Sequence, residues 1–79
     1  MKNKIYLYRG ILGLTQEECA KKLHISKNAV SDIEIGNYNP SLITAYKFSL
    51  LFNVPITTIF DFSDITLKSN EELEGQVSI

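Results

Sequence analysis

Residues 14–40 constrain this chain more than any other stretch, because they mark both ends of two short helices. Thr15 followed three residues later by Glu18 is a capping box, in which each side chain satisfies the other residue's backbone amide. Ser26, eleven residues after Thr15, is a second N-cap candidate. The interval holds about two helical turns and one tight reversal. His24 falls at that reversal, where a left-handed residue closes the first helix. Gly13, Gly36 and Asn53 follow other apolar-periodic stretches and are expected to close helices in the same way. His24 is thus read as a turn residue rather than a metal ligand. No Cys-His-acid spacing points to a metal site, and no cofactor is expected.

These stops divide the chain into five expected helices, over residues 4–12, 16–23, 27–35, 42–52 and 56–60. Asn3 stands at the capping position of the first and Ser41 at that of the fourth. Pro40 keeps the chain extended before the fourth helix, and the loop Gly36-Asn37-Tyr38-Asn39-Pro40 is dense in turn formers. The apolar periodicity defines one all-α core from Ile5, Tyr8, Leu14, Cys19, Ala20, Leu23, Ile25, Val30, Ile33, Leu42, Ala45, Phe52, Val54, Ile59 and Phe60. Phe48 and Leu51 help to close it. Past Phe60, Phe60-Asp61-Phe62 and Ile65-Thr66-Leu67 alternate about Ser63-Asp64, a pattern compatible with a small C-terminal β-hairpin or strand. Residues 69–79 are polar and acidic without a period, and read as a mobile tail. The expected division is a compact domain over residues 1–62 and an extension over 63–79.

A chain of 79 residues makes one small domain whose stability must come from close helix packing or association. Cys19 is the only cysteine, so no internal disulfide can form. Its place on the apolar side of a helix suits a buried thiol in a reducing compartment. No apolar run approaches the roughly 18 residues of a membrane span. The basic start Met1-Lys2-Asn3-Lys4 is not followed by the uninterrupted apolar run of a signal peptide, so the expected location is cytoplasmic. The net charge of −1 divides unevenly: residues 1–40 carry +2 and residues 41–79 carry −3. That asymmetry permits a face for nucleic acid without requiring one. With so few bases, a monomer would bind phosphates weakly.

Read in order, Gly13-Leu14-Thr15-Gln16-Glu17-Glu18, then Ala20, Leu23, Ile25-Ser26, Ile33-Glu34, Gly36 and Asn39-Pro40-Ser41-Leu42 resemble the Cro and lambda-repressor-like helix-turn-helix regulators, also called the xenobiotic-response-element family. The resemblance covers about residues 5–60. It implies a five-helix domain whose third helix, after Ser26, enters the major groove of double-stranded DNA. It implies that Gln16 contacts a phosphate and supports the recognition helix, and that Thr15 brings a helix N-terminus to the backbone. Lys27, Asn28 and Ser31 take the groove-facing positions. Asn28 can pair with adenine through two hydrogen bonds, or stay solvated; Lys27 can meet guanine or a phosphate. Asn37, Tyr38 and Asn39 fall in the loop that touches flanking phosphates, although Tyr38 could instead pack on the fourth helix. Arg9 and Glu34 match positions that form an internal ion pair between the first and third helices.

Two departures stand out. Asp32 puts an acid on the recognition helix, where it reads a cytosine amino group, or excludes many sequences, or turns to solvent or a nearby lysine. Leu7, Ile11, Leu12, Ile35, Ile43 and Leu50 are apolar where similar proteins carry charge. Ile43, Tyr46 and Leu50 share one helical stripe. The expectation is that one apolar patch lies under the segment around Phe62, Ile65 and Leu67, and that the other forms a two-fold dimer interface. Such a dimer sets two recognition helices about 34 Å apart, matching a palindromic operator.

The function these features favour is a dimeric, sequence-specific transcriptional regulator, more readily a repressor than an activator because little chain remains to recruit a partner. Two competing readings use the same fold: the antitoxin of a toxin–antitoxin pair, and a protein-interaction module that has lost DNA binding. No nucleophile–base pair, phosphate loop or carboxylate cluster suggests an enzyme.

Overall fold

The structure, a computed structural model, describes residues 1–65, and within them the chain is all-α with five helices. They are α1 (Ile5–Leu12), α2 (Gln16–Leu23), α3 (Lys27–Glu34), α4 (Leu42–Phe52) and α5 (Ile56–Ile59). The capping chemistry accounts for their ends. Thr15 Oγ1 accepts from the Glu18 amide and Glu18 Oε1 accepts from the Thr15 amide, each at 3.0 Å, which completes the capping box of α2. Ser26 caps α3 through the Ala29 amide, and Ser41 caps α4 through the Thr44 amide. All four expected left-handed positions are left-handed, with φ of 68° at Gly13, 57° at His24, 85° at Gly36 and 58° at Asn53.

Phe48 lies at the centre of the core, fully buried, with its ring 5.9 Å from both Phe52 and Phe60. Ile5, Cys19, Val30, Ile33 and Ile59 are buried around it, and Tyr8 stacks on Phe52 from the edge. Burying a side chain of this size contributes about 1.5–3 kcal/mol, so α4 anchors the fold through Phe48. Leu42 departs from expectation: it is 80% exposed. It opens the first turn of α4, about 60° round the helix from Ala45 and outside the arc shared by Ala45, Phe48 and Phe52. Because α4 is apolar on nearly every side, periodicity alone does not choose its inner face. Leu14, also expected in the core, is only half-buried.

The chain after α5 differs as well. Phe60 forms an isolated antiparallel bridge with Asn3, and there is no strand among the described residues. The Asp61 carboxylate accepts from the Ser63 amide at 2.8 Å, and the Ile65 amide donates to the Phe62 carbonyl, which makes a turn about Ser63-Asp64; most of the second arm of the expected hairpin lies outside the described residues. Phe62 and Ile65 are themselves exposed, and among the described residues nothing covers the apolar patches on α1 and α4. Thr66, Leu67 and the expected tail lie outside the described residues. Among those described, no helix is long and apolar enough to cross a membrane.

Candidate nucleic-acid interface

The face built by α2 and α3 follows from their caps and from how they pack. Val30 and Ile33 bury one side of α3 against Cys19, Ala20 and Leu23 of α2. At 100° per residue, this turns Asn28 and Asp32 outward and leaves Lys27 on the flank of the first turn; all three are exposed. Asn28 and Asp32 are four apart and so share one edge of the helix. Ser31 lies beside Asn28 and is half-buried. Among the described residues, no hydrogen bond or ion pair engages any of these four side chains, so Asp32 is not neutralised by a lysine.

Thr15 and Gln16 open α2, Thr15 exposed and Gln16 half-buried. The Thr15 amide, and then its hydroxyl, hold the Glu18 carboxyl below the usual carboxylate range. Lys21 and Lys22 extend from the far end of α2, where they meet the negative pole of the helix. Asn37, Tyr38 and Asn39 lie in the loop after α3, all three exposed, Tyr38 by 54%. That loop is anchored by the Asn37 amide, which donates to the Asp32 carbonyl at 3.0 Å. The nine candidate residues thus fall on the start of α2, the outer side of α3 and the following loop.

The expected ion pair between Arg9 and Glu34 forms and holds this face to the body. Arg9 Nη2 and Nε donate to the two Glu34 oxygens at 2.9 and 3.1 Å, while Nη1 donates to the Leu14 carbonyl at 2.9 Å. The hydrogen bond to Glu34 raises the Arg9 pKa above its ordinary value despite partial desolvation. One guanidinium therefore joins α1, the turn before α2 and the end of α3. The sequence reading missed Lys47, the single charged residue of α4, whose Nζ donates to the Leu23 carbonyl and ties α4 to the end of α2. A lone base in an otherwise apolar helix was the available signal.

Two capped helices joined at a left-handed turn, the second with a polar outer side, define a helix-turn-helix protein. The helix-turn-helix family profile matches residues 5–59, and the chain belongs to this family of DNA-binding transcriptional regulators, which is not an enzyme family. An uncharacterised helix-turn-helix-type transcriptional regulator of Methanocaldococcus jannaschii is 47% identical over 64 residues, covering 81% of this chain and 97% of the relative. Another, from Archaeoglobus fulgidus, is 41% identical over 76 residues, covering 96% of this chain and all of the relative. Among solved structures, a chain of the SinR protein/SinI protein complex superposes with a TM-score of 0.68 at 30% identity, covering 95% of this chain and 77% of that one.

Proposed function

We propose that this protein is a repressor that binds a palindromic operator as a homodimer in the cytoplasm, with residues 1–62 as the DNA-binding domain and 63–79 as an extension. Asn28 and Asp32 read base edges, Lys27 and Ser31 serve base or phosphate, and Thr15, Gln16, Asn37, Tyr38 and Asn39 hold the flanking phosphates. The observation that carries this reading is the outer side of α3, where Lys27, Asn28 and Asp32 are exposed with no internal bonding partner among the described residues. The dimer is supported by α4: Ile43, Tyr46 and Leu50 are 70%, 56% and 63% exposed on one stripe. The only charge on that helix, Lys47, is already tied to Leu23. A stripe without charge can face its own copy across a two-fold axis without repulsion.

Selection from a random duplex library with purified protein at moderate salt tests the proposal. An inverted repeat is the expected product. Recovery of no preferred sequence by well-folded protein overturns it. That result would favour a second reading, a protein partner on the apolar stripe, to which the pairing of SinR with SinI lends some weight. The antitoxin reading is of this second kind, with a toxin as the partner.

A further inference from the structure

We infer that Asn3 is a positioning residue for DNA recognition, a carboxamide clip that sets α3 against the start of α1; this rests on the reading of α3 as the recognition helix. The last carbonyls of a helix lack intrahelical partners and must find donors elsewhere. At the end of α3, Asn3 Nδ2 donates to the Ile33 carbonyl at 2.8 Å and lies 3.4 Å from that of Glu34. The other end of the same carboxamide serves α1. Lys4 occupies the capping position of α1 without a side-chain bond, and Asn3 Oδ1 accepts from the Ile5 amide at 3.1 Å instead.

Asn3 is itself fixed from both sides. The Lys4 amide donates to the Ile59 carbonyl at 2.8 Å, and the Asp61 amide donates to the Lys2 carbonyl at 2.9 Å. The residues around Asn3 are therefore held to the end of α5 while its side chain holds α3. Together with the Arg9–Glu34 pair, this gives the C-terminal turn of α3 two independent ties to α1, both planar and both directional. A helix docked by Val30 and Ile33 alone could rock about its buried apolar side; the two ties remove that freedom. Small errors in the angle of a recognition helix misplace base-edge hydrogen bonds more than phosphate contacts, because base edges demand a fixed geometry.

Asn3→Ser separates the roles, since serine keeps an acceptor for the Ile5 amide but is too short to reach Ile33. The probes are the duplex selected by the wild-type protein and a random duplex of equal length, both assayed well below the melting temperature. The expected result is a loss of about tenfold in preference for the selected duplex, with the salt dependence on random duplex unchanged. A purely structural role would lower the melting temperature and leave that preference intact. A second readout needs no DNA: exchange of the Gly36 and Asn37 amides, which donate to the Ile33 and Asp32 carbonyls, should quicken about fivefold while α2 is unaffected. Preference within twofold of wild type overturns the inference, as does unchanged exchange at both amides. If the wild-type protein prefers no duplex, the DNA reading itself fails, and the exchange result alone decides whether the clip exists.

Discussion

Cys19 shows how burial governs a single side chain. Its thiol is fully buried, and desolvation pushes its pKa up to about 11, outweighing the nearby positive charge of Arg9. In the unfolded chain the thiol ionises near pH 8.5–9, so the stability linked to it is present below that range and is lost as pH rises towards 11. The stability difference between the wild type and Cys19→Ala should therefore narrow from about pH 9 to 11 in denaturant titrations. Alkylation of the native protein at neutral pH should proceed only as fast as Cys19 becomes exposed by opening of the fold. The Arg9–Glu34 pair makes the opposite case, a charge that is held rather than suppressed. Its side chains are 14% and 9% exposed, so Glu34→Ala strands the guanidinium and should cost about 3 kcal/mol by chemical denaturation. Replacing both residues with apolar ones of similar size should recover part of that loss.

At the scale of helices, two glycines near the end of α1 have opposite consequences. Gly10 lies inside the helix, with nothing beyond its chain neighbours and the backbone of its own helix within 4 Å of the place a Cβ would occupy, so Gly10→Ala should stabilise by about 0.5–1 kcal/mol. Gly13 closes the helix at φ 68°, so Gly13→Ala should destabilise by about 1 kcal/mol. Thermal melts of the two variants should shift in opposite directions. The same chemistry explains what the sequence revealed about the elements. Helix boundaries were legible because Thr15, Ser26, Ser41, Gly13, His24 and Asn53 do their capping within a few residues of themselves. The inner face of α4 was less legible, since Leu42 and Phe48 are equally apolar and only the placement of α1 and α5 decides which is covered. The contacts of Asn3 with α3 and of Lys47 with α2 join residues 30 and 24 positions apart; the lone charge of Lys47 on an apolar helix was visible locally, but neither partner was. For the candidate interface, the outward turn of Asn28 and Asp32 was readable from helical phase alone. The bonding state of Asp32 required the folded chain.

For the whole molecule, the decisive surface is the stripe on α4. Ile43→Glu together with Tyr46→Glu sets like charges against each other across the proposed two-fold axis. The pair should shift the protein to monomers in light scattering at concentrations where the wild type is dimeric. The same variant should lose affinity for an inverted repeat while keeping that for a single half-site, because its α3 is unaltered. A dimer that survives both substitutions would move the interface elsewhere, with the exposed side of α1 at Tyr6, Leu7 and Ile11 the next place to look.

The eight residues of α3 also limit how rare an address one protomer can name. A helix of two turns presents about four side chains to base edges, and any given four base pairs recur by chance about once in every 256 positions. A lone protomer would thus be spread across countless chance matches. Two such helices, held at a fixed spacing, square that figure to about one in 65,000, before any help from DNA shape. The brevity of α3 makes arithmetic, as much as energy, an argument for the proposed pairing.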